Sequence, residues 1–84
     1  MGKAITEKNR KRFLRLSIEI SMKRRLKKMM QTMLAEEAGI SRSLLSVIEA
    51  PSLAYNFTLD VLFNIADALG ADVVDLLVDK RKLN

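Results

Sequence analysis

The apolar positions of this chain recur at helical spacing and nowhere sustain an alternation. The cleanest pattern runs from 59 to 69, where Leu59, Leu62, Phe63, Ile65, Ala66 and Leu69 share one face. Thr58 stands at the cap position and Gly70 follows as a stop. This predicts a helix with that face inward. Upstream, Gln31 to Ala38 groups Leu34, Ala35 and Ala38. Gly39 then permits a sharp turn, and Ser41 caps a further helix to about Glu49, with Leu45 and Ile48 inward beside Ile40. A last short helix starts at Asp72, with Asp75 near the positive end of its dipole and Val73, Val74, Leu76 and Leu77 almost continuously apolar.

The first helix, placed within about 9–28, is ambiguous. Phe13, Leu16 and Ile20 fall on one face, and Ile18, Met22, Leu26 and Met29 on another. A bend or register shift near Ser21 would reconcile the two. The methionines Met22, Met29, Met30 and Met33 read as core filler and helix-edge packing, with an adaptable partner surface as the lesser reading. There is no Asn-Gly or Asp-Gly turn. The fold class is therefore all-α, with five helices in one domain of 84 residues.

Charge divides the same chain differently. Residues 1–30 hold eleven Lys and Arg against Glu7 and Glu19, whereas the remainder is mildly acidic; the net charge is +5. We divide the chain into a basic arm (1–8), a domain (9–78) and a basic tail (79–84) that should fray. The basic segment could neutralise phosphate through cations such as Lys27 and Lys28, coat an acidic membrane, or simply keep the protein soluble; the motif beside it favours DNA. No segment is long and apolar enough to span a bilayer, and no apolar stretch with a cleavage site follows the basic start, so a cytoplasmic location is expected.

His and Cys are both absent. That removes imidazole and thiolate metal sites, disulfides, and nucleophile–base pairs built on either residue. No Gly-rich phosphate loop is present. An enzyme is not expected, nor any cofactor or metal.

The stretch Gln31 to Glu49 meets the physical requirements of a helix-turn-helix. Ala35 is small where two helices cross closely, and Gly39 supplies the turn. Leu34, Ile40, Leu45 and Ile48 lock the second helix on the first. Ser41, Arg42, Ser43, Ser46 and Val47 remain outward. Arg42 suits guanine O6 and N7, the serines suit base edges or phosphates, and Val47 suits a thymine methyl. Gln31 opens its helix, where backbone N–H groups can meet a phosphate.

These residues resemble the Cro/repressor-type helix-turn-helix, or XRE, family. The resemblance is carried by Leu34 through Ser43, by Leu45-Ser46 and Ile48-Glu49, and by a second block from Thr58 to Leu77. It implies a compact five-helix, repressor-like DNA-binding domain that regulates transcription, usually as a homodimer on a palindromic operator. It further implies base contacts at Arg42, Ser43, Ser46 and Val47, and phosphate contacts at Gln31 and Ser41. Four departures stand out: Lys28 where members commonly have Gly, Met30 where Ser or Thr is usual, Val47 where Arg is frequent, and a long uncharged loop from Ala50 to Phe57. Leu53 and Tyr55 in that loop, with Val74 and Leu77 of the last helix, are candidates for a dimer or partner surface. The expected function is sequence-specific binding of double-stranded DNA, with repression favoured over activation. The alternative is an antitoxin or other protein-interaction module of the same fold.

Overall fold

The computed structural model describes residues 5–78, and these form five α-helices with no strand among them. Helix α1 spans Glu7–Leu26, α2 Gln31–Ala38, α3 Arg42–Glu49, α4 Leu59–Leu69 and α5 Val73–Leu77; a 3₁₀ turn, Pro51–Leu53, follows α3. α1 therefore begins inside the segment assigned to the basic arm, and the assigned tail 79–84 lies outside the described residues.

Local chemistry sets most helix starts. The hydroxyls of Thr6, Ser41 and Thr58 accept from the N–H groups of Asn9, Leu44 and Val61 at 3.1, 3.0 and 3.3 Å. Helix ends show a shared device with one unusual member. α2 closes on Gly39 at φ +72°, with Gly39 N–H donating to Glu36 O and Ile40 N–H to Ala35 O. A Cβ at Gly39 would meet nothing within 4 Å, so the turn needs glycine for its backbone angle and not for space. α1 closes the same way on Lys28 at φ +58°, with Lys28 N–H donating to Arg25 O and Met29 N–H to Arg24 O. A lysine thus occupies a left-handed position, at a cost of roughly 1–2 kcal/mol. That is why the sequence pattern carried α1 to residue 28.

α1 runs through Ser21 as one uninterrupted helix. The buried residues of α1 are Leu16, Ser17, Glu19, Ile20, Ser21 and Arg24. Ile18, Met22 and Leu26, which formed the second apolar face, are exposed. Two serines and an arginine thus face inward while three large apolar residues face out. The reason is tertiary. Ser17 Oγ lies 2.6 Å from Ile48 O and 3.1 Å from Phe13 O, and its small side chain admits the end of α3.

α2 packs on α3 and α4, while α1 crosses α3, the 3₁₀ turn and α5. Ile20, Leu34, Leu45, Ile48, Ile65 and Leu76 are fully buried where these elements meet. Each contributes roughly 1.5–3 kcal/mol by leaving water. Leu59 and Phe63, expected on the inner face of α4, are exposed. α4 is covered by α2 along only one narrow stripe, that of Leu62, Ile65, Ala66 and Leu69. Of the methionines, Met29 packs against the core; Met22, Met30 and Met33 are exposed. In α5 only Leu76 is buried. Phe57 folds back onto Phe13, with ring centroids 5.6 Å apart and an edge-to-face angle of 72°.

Candidate nucleic-acid interface

The turn at Gly39 sets α3 against α2 so that Leu45 and Ile48 are sealed in the core. The helix is only eight residues long, so burying that side leaves a compact free face. Ser41, Arg42, Ser43 and Ser46 are exposed on it, and Val47 is half-buried at its margin. The four residues assigned to base contact thus share one surface with Ser41. Ser41 Oγ accepts from Leu44 N–H and keeps its own hydroxyl proton as a donor.

The start of α2 is held by a buried polar cluster that sequence reading did not find. Arg24 donates from Nε to Glu49 Oε2 at 2.8 Å and from a terminal nitrogen to Glu49 Oε1 at 3.0 Å. Its other terminal nitrogen donates to Met29 O at 2.7 Å. Gln31 Nε2 donates to Glu49 Oε1 at 3.0 Å. One carboxylate therefore ties the end of α1, the start of α2 and the end of α3. Geometry of this kind fixes the angle at which α3 is presented. The signal available in the sequence was the lone acid at the end of α3, which reads as an ordinary surface residue.

Side-chain hydrogen bonds change the picture at two predicted phosphate positions, Gln31 and Lys27. The Gln31 side-chain amide is engaged with Glu49, and the first turn of α2 has no side-chain cap. Lys27 Nζ donates to Leu69 O at 2.8 Å, placing a cation on the negative end of α4. Lys28 is exposed beside the α2 start.

Leu53, Tyr55, Val74 and Leu77 are all exposed. Leu77 also lines a hollow with Phe57 and Leu59. Among the described residues, no helix is long and apolar enough to cross a membrane, and no group of three or more carboxylates could hold a metal ion.

A family model described as helix-turn-helix matches residues 20–76, from the second half of α1 to α5. Neither the curated proteins nor the solved structures give a match.

Proposed function

The chain belongs to the Cro/repressor-type helix-turn-helix family, whose members bind DNA and regulate transcription, and from that premise we propose that it reads a specific operator by laying α3 in the major groove. The observation that carries this is the face of α3: Arg42, Ser43 and Ser46 stand exposed, directly behind them Leu45 and Ile48 are immobilised, and Glu49 is clamped. A rigid helix with a polar free side is what base readout requires. Arg42 is the strongest candidate for a bidentate guanine contact; Ser43, Ser46 and Val47 complete the footprint. The backbone N–H at Gln31, the Ser41 hydroxyl and the Lys28 ammonium hold phosphates on either side, with Lys27 contributing the donors that Leu69 does not take.

The protein acts as a repressor in this reading. It works as a cytoplasmic homodimer joined through apolar positions among Leu53, Tyr55, Val74 and Leu77, with half-sites about 34 Å apart. The exposure of those same residues favours a second reading, an antitoxin whose partner protein covers them.

Selection of bound sequences from random duplex DNA tests the first reading. A two-fold symmetric motif with one-turn spacing is the expected result. Failure to enrich any motif, together with co-elution of a neighbouring gene product, replaces the repressor reading with the antitoxin one.

A further inference from the structure

The part of α1 before residue 20 lies outside the matched stretch, yet it is helical and carries Lys8, Arg10, Lys11, Arg12 and Arg15 at exposed positions. Two open hollows lie side by side along it. One is walled by Phe13, Leu16, Phe57, Leu59, Leu62 and neighbouring residues; the other lies between Arg12, Arg15, Leu16, Leu76 and Leu77. Arg12, Leu16 and Leu77 line both, so together they make one groove between α1, the start of α4 and the end of α5. Its walls are apolar and its α1 rim is cationic. Asn9 Oδ1 accepts from Arg12 at 2.8 Å, which holds the guanidinium at that rim.

We propose that this groove docks an acidic amphipathic segment of a partner protein. Apolar side chains one helical turn apart enter the two hollows, and carboxylates meet Arg12 and Arg15. Each hollow is about 220 Å³, below the roughly 300–1,000 Å³ of small-molecule pockets and suited to single side chains. Charge selects this occupant over others. A second copy laid groove to groove would bring Lys8, Arg12 and Arg15 of both chains together, an opposed set of like charges. A DNA backbone offers phosphates but no apolar group to cover Leu59 and Leu77, which are 66% and 50% exposed. A bilayer surface does not enter a concave groove. The inference is independent of the base contacts, because the groove and the free face of α3 share no residue; it leaves the homodimer to Leu53, Tyr55 and Val74, since Leu77 lines the groove.

The test titrates the full chain, labelled with ¹⁵N, with a synthetic peptide of leucine and glutamate at helical spacing. A second titration uses the same peptide with glutamine for glutamate. The expected result is saturable shifts at Phe13, Leu16, Leu59 and Leu77, with at least tenfold weaker binding of the glutamine peptide. The double variant R12Q/R15Q should also bind the glutamate peptide at least tenfold more weakly, with unchanged helical circular dichroism and an unchanged salt slope for a mixed-sequence DNA duplex. Equal binding of the two peptides overturns the proposal, as do shifts confined to other surfaces. Groove shifts that follow protein concentration alone assign the groove to a second copy. A flattened DNA salt slope in the double variant assigns the arginines to phosphate.

Discussion

The two halves of α1 are built from the same residue types and use them differently. In the second half and the turn that follows it, cations have tasks within the fold, although only Arg24 among them is buried. Arg24 is buried against Glu49, Lys23 sits 3.7 Å from Glu19, Lys27 caps α4, and Lys28 closes the helix in a left-handed turn. In the first half, Lys8, Arg10, Lys11, Arg12 and Arg15 are all exposed beside an apolar groove. The positive charge of the chain is therefore not one property. Part of it is tied into the fold, and the rest, Arg25 included, is presented outward. A count of Lys and Arg treats these as equal, whereas burial sets Arg24 apart: a desolvated ion pair is costly to break, and an exposed one is worth little.

The largest effect should come from breaking the internal half. Replacing Glu49 by Ala leaves the Arg24 guanidinium buried without its carboxylate and frees Gln31; a loss of about 3–5 kcal/mol in urea unfolding is expected. A loss under about 1 kcal/mol would show that Arg24 is no more than a surface charge. Next in size, Arg42→Ala should lose about 1–3 kcal/mol of specific DNA affinity while its melting curve stays unchanged. Unaltered affinity for the selected operator would remove Arg42 from the readout.

Ser17→Ala should cost about 1–3 kcal/mol of stability, since Ile48 O would be left buried without its donor. A thermal melt matching the parent would show that Ile48 O finds another partner. Lys28→Gly separates two roles of one residue. Relief of the left-handed strain, less the added freedom of glycine when unfolded, should raise stability by about 0.5–1 kcal/mol. The same variant should lower the salt slope of DNA binding by about 0.9 for one lost phosphate contact. A stabilised protein with an intact slope would confine Lys28 to the helix end. The smallest effect belongs to the outward half: Lys8→Gln with Lys11→Gln should change stability by less than about 0.5 kcal/mol. A larger change would erase the distinction between the two halves of α1.

Much of the reading head was legible because its signals are local. The N-caps at Ser41 and Thr58 and the glycines at 39 and 70 act within a few residues of themselves, and the helices that they bound were read to within a residue or two. α1 was legible only as a helix. Its end was hidden because lysine gives no sign of a positive φ. Its orientation was hidden because Ile18 and Met22 look like core residues, and Ser17 and Arg24 do not. The hydrogen bonds that reverse this are made to Ile48 and Glu49, distant in the chain. The same limit applies to Lys27, whose acceptor Leu69 lies forty-two positions away.

The sequence by itself determined that this chain is helical, that a glycine-hinged helix pair presents a polar face bearing Arg42, and that no imidazole or thiolate chemistry is available to it. Spacing and residue type suffice for such features, because backbone angles, caps and helical periodicity are set by near neighbours. Only the tertiary structure decided which side of α1 is inward, that Glu49 and Arg24 clamp the motif, and which cations remain outside. Those outcomes depend on whether a charged or polar group meets a distant partner when it leaves water, and the desolvation of such a group outweighs the local preference of the segment that carries it.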